Sequence, residues 1–279
     1  MTSAIPPRDW TDIHWPDIAG AEPARWIAVL PLAATEQHGP HLPVGTDVMI
    51  AQAYLSRVRE LLSSTIPATF LPLQPVGIST EHIDYPGTLT LPAEIALKSW
   101  MALGTSVARA GVKKLVMITS HGGNSAAMTL VAQDLRATCG LLVVTTGWSR
   151  FGAPEGLFSA EELRHGIHGG AVETSIMLAR YPQHGRSGEI ADFLPPVSRW
   201  KRIIAGSPRT GRHRLPGRPR TFIRAAPPAM PRRHPQRKAS FCSIMARVRS
   251  ANCSQTSTNL IRKTLPTARR ADDHSPNYL

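Results

Sequence analysis

This chain of 279 residues predicts a layered α/β/α domain with a largely parallel sheet, followed by an irregular basic tail. Three observations carry that reading. Short β-branched apolar runs alternate with longer segments of helical period through the first two hundred residues, and a β-α-β-α order favours parallel strands covered by helices. A hydrophobic content of 42% supplies a sizeable core and excludes wholesale disorder. No apolar run approaches the roughly 20 residues of a membrane span. Cys139, Cys242 and Cys253 are too few and too scattered for a disulfide scaffold or a four-thiolate zinc site.

The elements follow in order. WIAVLPLA (26–33) reads as a buried strand, and Asp47 suits the cap of a helix through residues 48–62. IPATFLPL (66–73) is a second strand, followed by a polar loop with Gly77, Pro86 and Gly87. Residues 93–110 read as a helix, with Pro92 at the start and Gly111 at the end. KLVMITS (114–120) is a third strand, residues 124–139 a helix closed by Gly140, and LLVVTTGW (141–148) a fourth strand. Helical residues resume over about 159–180. The N-terminus has no apolar stretch of the kind a secretory signal carries, so the expectation is a cytoplasmic protein without membrane contact.

Charge divides the chain in two. Residues 1–200 carry 14 Lys and Arg against 17 Asp and Glu, a net charge of −3. Residues 201–279 carry 18 against 2, a net charge of +16. The 79 residues from Phe193 to Ala271 contain no acid, and all six Trp lie at or before Trp200. Arg, Pro and Ser without period cannot bury enough apolar surface to offset ordering entropy. A solvated basic arm and a nucleic-acid-binding arm both suit that composition. Near-absence of interleaved aromatics argues against the second. A shifted reading frame in a GC-rich gene accounts best for so abrupt a change, which sets the domain at 1–198 and the tail at 199–279.

In an α/β layered fold the site lies beyond the carboxyl ends of the strands. The loop after the first strand holds Glu36, His38, His41 and Asp47 within twelve residues. Glu36 and His38 are two apart, so an extended backbone points both the same way. Carboxylate with imidazole is a ligand set for zinc, manganese or iron, and Asp47 is the natural carboxylate to bridge two cations. A polar loop with Asp47 as a simple cap fits the same residues. After the third strand comes Ser120-His121-Gly122-Gly123-Asn124, which suits either a Gly-rich turn or a ligand-facing His at a helix start. The third segment runs from His165 to Ser175. It places Glu173 in a first helical turn, as a ligand or a cap, with His168 five residues earlier as a candidate proton carrier.

Taken together, LPLAATEQHGPHLPVGTD, GISTEHIDYPGTLTLP, SHGGN and HGGAVETS resemble the creatininase family of metal-dependent amidohydrolases over roughly residues 10–198. That resemblance implies a layered α/β fold, two divalent cations (zinc, with manganese or iron as alternatives) that activate a water, a homo-oligomer, and opening of a C–N amide bond in a cyclic amide, a formamide or a peptide-like small substrate. It implies Glu36 and His121 on one metal, His38 on the other, Asp47 between them, and Glu173 as a further ligand. His168 matches the proton-transfer histidine, and Ser79, Glu81 and His82 fall in the substrate-side segment. Two positions depart from the creatinine-hydrolysing pattern. Gly123 stands where those members carry a Glu, and Arg164 where they carry a Trp that stacks on the ring. Both departures point away from creatinine. An inactive family member, or a protein that binds nucleic acid through its tail, are the alternatives.

Overall fold

The computed structural model describes residues 5–190; the tail and the boundary at 198 lie outside the described residues. Four strands form one parallel sheet: β1 (Ile27–Leu32), β2 (Ala68–Phe70), β3 (Lys114–Thr119) and β4 (Leu142–Gly147), in the order β2-β1-β3-β4. The helices are α1 (Trp15–Ala19), α2 (Thr46–Leu61), α3 (Ala93–Arg109), α4 (Ser125–Cys139), α5 (Ala160–His165) and α6 (Ala171–Arg180). The α/β class read from the sequence is the observed one. The helical stretch expected over 159–180 is two helices, parted by the glycine-rich segment 166–170.

Alternation along the strands sorts the core into two layers. Val29, Phe70, Val116 and Ile118 face one side, where α2 adds Ile50, Tyr54, Leu55 and Val58 and α6 adds Ile176 and Met177. Ala28, Leu30, Leu32, Leu115 and Met117 face the other, against Ala96, Trp100 and Val107 of α3 and Met128, Val131 and Leu135 of α4. Each fully buried Leu, Ile or Met contributes about 1.5–3 kcal/mol by leaving water, so these two layers fix the helices on the sheet.

Pro31 lies in a central strand, where a residue without an N–H is unusual. Its carbonyl accepts from Gln74 N at 3.0 Å, so its backbone faces the β2 side, and there β2 has already ended at Phe70. The missing donor therefore interrupts no ladder.

The strand order reverses between β1 and β3. The chain leaves β1 toward β2 on one side and enters β3 on the other, which opens a crevice at their carboxyl ends. Register pairs Leu32 with Thr119, so the two loops that follow leave the sheet at the same level. Among the described residues no helix is long and apolar enough to cross a membrane.

Candidate metal centre

The crevice holds a closed group of acids and imidazoles. Glu36, His38, Asp47 and His121 are each at most 6% exposed. Glu36 and His38 follow β1. Asp47 is the second residue of α2, whose cap is Gly45, so its carboxylate is not used as a cap. His121 immediately precedes the short turn into α4.

His121 Nδ1 lies 3.1 Å from Glu36 Oε1 and 3.5 Å from Asp47 Oδ2. His38 Nε2 lies 3.8 Å from Asp47 Oδ2 and 4.0 Å from Glu173 Oε2. Asp47 thus stands between two groups: Glu36 with His121, and His38 with Glu173. Ligand atoms of His38, Asp47 and Glu173 all fall within 4.8 Å of one another, as do those of Glu36, Glu81 and His121 and those of Glu36, His38 and His168.

A fit to metal ions rests on unpaired atoms. Glu36 Oε1, His38 Nε2 and Asp47 Oδ2 are buried without a hydrogen-bond partner. Leaving such a group unsatisfied costs about 1–3 kcal/mol, more when it is charged. Three of them pointing into one space is the arrangement that divalent cations resolve. The remaining atoms are oriented in the manner of ligands. His38 Nδ1 donates to the Glu36 carbonyl at 3.0 Å, which directs Nε2 inward. Ser79 Oγ donates to Glu36 Oε2, and Gly169 N donates to Glu173 Oε2 at 2.6 Å.

Crowding of like charge shows in the titration of the group. Burial pushes Asp47 up to about 7, the Glu36 charge adding to the rise while His121 opposes it. Burial, then the charge of Asp47, pushes Glu173 up to about 8. Burial acts against the His121 cation, but the Glu36 and Asp47 carboxylates outweigh it and raise that ring to about 9. Burial would raise Glu36, yet the His121 ring beside it and the hydrogen bond from Ser79 hold it below the usual carboxylate range. His38 falls to about 4 through burial and the neighbouring His168.

The residues of the rim lie around this group. His168 stacks between His38 and His82, with ring centroids at 4.3 and 4.2 Å. Its Nε2 donates to the Gln37 carbonyl at 2.5 Å, and its Nδ1 faces Glu36 Oε1 at 3.5 Å. His82 Nε2 lies 3.8 Å from the same oxygen. Ser79 is fully buried under Glu36, whereas Glu81 stays half exposed beside His121. Arg164 is exposed on α5.

Three further residues shape the site without having been given a role from the sequence. Gln37 donates from Nε2 to His82 Nδ1 at 3.0 Å and accepts from Gly39 N at Oε1. Asn124 is fully buried; it accepts from Ile78 N and donates to Ala33 O and Thr119 Oγ1. It ties together the loops after β1, β2 and β3. Gly77 makes room for it, since a Cβ there would lie 2.4 Å from Asn124 Oδ1. Buried His41 bonds Thr174 Oγ1 at 2.9 Å, beside Glu173. Gln37 sits between two candidate ligands and His41 lies in the same cluster, which are sequence signals; Asn124 offered only its polarity.

The comparisons agree with this geometry. The family described as creatinine amidohydrolase matches residues 11–225. The mycofactocin precursor peptide peptidase of Mycobacterium ulcerans is 32% identical over 191 residues, 63% of this chain and 71% of that protein. The creatinine amidohydrolase of Pseudomonas putida is 28% identical over 186 residues, 61% of this chain and 70% of that one. A crystal structure of creatinine amidohydrolase aligns with a TM-score of 0.58 and 22% identity, over 93% of this chain and 99% of that chain. A structure titled "Creatininase Mn" aligns with a TM-score of 0.57 and 23% identity, over 94% and 100%. The fold is theirs. With the buried acid–imidazole group standing at the switch point of that fold and the family matched across most of the sequence, this chain belongs to the creatininase family of amidohydrolases.

Proposed function

We propose that the chain hydrolyses a C–N amide bond in a peptide-like substrate, using two divalent cations. Convergence of Glu36 Oε1, His38 Nε2 and Asp47 Oδ2 without hydrogen-bond partners is the observation that carries this reading. Glu36 and His121 would hold one cation, His38 and Glu173 the other, and Asp47 would bridge them. Zinc suits the ligand set, with manganese or iron as alternatives. Bound there, such ions supply Lewis acidity and a water of lowered pKa.

The protein's own part is to hold and move protons. His168 donates its Nε2 proton to the Gln37 carbonyl, so Nδ1 is the nitrogen left for chemistry. Burial first, and the charge of His82 second, lower its pKa, so the ring is neutral at pH 7 and able to accept. Nδ1 takes the proton of the attacking water as the C–O bond forms. It returns that proton to the departing nitrogen as the C–N bond breaks, giving a carboxylic acid and an amine. Such transfer contributes typically 10²–10⁴-fold. N–H groups of the Gly122–Asn124 turn, next in the chain to His121, would be the donors for the developing oxyanion.

Gly123 and the exposed Arg164 support a peptide-like substrate over creatinine. A small open substrate requires no stacking Trp. A cytoplasmic homo-oligomer completes the reading, with the working domain set at 1–198 although the family match runs on to residue 225. Elemental analysis of the full chain is the test, followed by turnover on peptide-derived amides, formamides and lactams. About two divalent ions per chain with turnover of a peptide amide is the expected result. A folded chain that takes up no divalent ion overturns it.

A further inference from the structure

We propose that Glu81 is a positioning residue for His121, and that Gly123 is the residue that admits it; the inference rests on the metal reading above. The two ring nitrogens of His121 have opposite duties. Nδ1 faces Glu36 Oε1 and Asp47 Oδ2. Nε2 faces away from them, 2.8 Å from the Ile78 carbonyl and 3.5 Å from Glu81 Oε1. A carbonyl accepts only, so Nε2 carries the proton and Nδ1 presents its lone pair toward the metal position. A histidine ligand held in this way has its tautomer and orientation set by the outer partners, and a carboxylate among them raises its basicity.

Glu81 reaches that place because position 123 has no side chain. A Cβ on Gly123 would lie 2.3 Å from His121 Nε2, 2.7 Å from Glu81 Oε1 and 2.7 Å from the Ile78 carbonyl oxygen. Any side chain would therefore displace all three members of the arrangement at once. The short turn Thr80–His82 that carries Glu81 is itself latched. His82 stacks on His168 and accepts from Gln37 Nε2, and Ser79 N donates to Thr90 Oγ1 at 2.8 Å. One turn thus serves both halves of the centre, Glu81 through the His121 ring and His82 through the His168 ring.

Zinc affinity of the full chain, measured at both positions by chelator competition, tests this for the wild type, E81A, E81Q and G123A. Removing an outer partner of a ligating His typically costs 10–100-fold in metal affinity. We expect E81A to weaken one of two zinc ions by that factor, with the other ion and the metal-free Tm unchanged. E81Q, which keeps an acceptor, recovers part of the loss, and G123A loses the same ion. Unchanged affinities in E81A overturn the role and leave Glu81 to the substrate. Outright loss of one ion in both E81A and E81Q makes Glu81 a direct ligand and overturns positioning. A G123A chain that binds as the wild type does overturns the part given to Gly123. A wild-type chain that binds no zinc fails the metal reading itself, whereas two ions held with the same affinities in the wild type and in E81A fail only this inference.

Discussion

The inner group and the rim of the crevice are built differently. Glu36, His38, Asp47 and His121 hang from the ends of β1 and β3 and the first turn of α2, and all are buried. Their positions follow from strand register and helix packing. His82, His168 and Glu173 keep 16–25% of their side chains exposed, and Glu81 keeps 46%. They come from a short turn, from the loop between α5 and α6, and from the first turn of α6. A rigid interior of fixed ligand types thus meets a rim whose loops differ in what they admit. On the proposed reading the interior, together with Glu173 from the rim, sets the chemistry, and the rest of the rim sets the substrate and steers its protons.

The largest expected effect belongs to the interior. Asp47→Ala removes the carboxylate that lies 3.8 Å from His38 and 3.5 Å from His121, so on the proposed reading both ions and all turnover are lost. Retention of two tightly held ions by that variant, in elemental analysis after dialysis, breaks the division. His168→Ala belongs to the rim. It keeps both ions and lowers kcat by about 10²–10⁴-fold. Loss of an ion in that variant moves His168 into the interior.

A pH titration sharpens the contrast further. Asp47 at about 7, Glu173 at about 8 and His121 at about 9 hold protons that a metal must displace. Zinc affinity therefore rises from pH 6 to pH 9, with proton release visible as a buffer-dependent heat of binding. Stability of the metal-free chain runs the other way. The folded state holds these three protons above the unfolded values of 3.8, 4.5 and 6.5, so stability falls as pH rises toward 9. His38, lowered to about 4 from 6.5, acts in the opposite sense only below pH 6.5. A metal-free Tm that climbs between pH 7 and 9 contradicts the crowded interior. The smallest effect is expected from Gln37→Ala, which frees His82 Nδ1 and removes an amide 3.1 Å from His168 Nε2 but leaves the Gln37 carbonyl on that ring. Turnover should fall by roughly tenfold at most, on the scale of a lost neutral hydrogen bond, with metal content unchanged. A larger fall would make Gln37 as important to proton transfer as His168.

Much of this was legible from residues alone, for reasons that differ by region. The strands announced themselves as apolar runs because parallel strands are buried on both faces. Glu36, His38 and His121 were found because each lies within a few residues of a strand end, where the fold class says to look. The break within 159–180 was passed over, although Gly166, Gly169 and Gly170 mark it. Glu81 was read with the substrate-side segment. Its approach to His121 spans forty residues and depends on an absent side chain at 123, which no local pattern displays. Asn124 was unreadable on the same grounds, since its three partners come from three separate segments: the ends of β1 and β3 and the loop after β2.

The pairing of Leu32 with Thr119 makes the sheet a gauge for the reacting centre. The spacing of Glu36 and His121 is set by where two neighbouring strands stop, and not by the loops themselves. One residue inserted into β3 would carry His121 about 3.3 Å along the strand and turn the following side chains to the opposite face. The same insertion at the exposed Ser63–Thr65 connection changes only the length of a surface turn. Length variation among descendants of this chain should accumulate in such connections, while the two central strands keep their count.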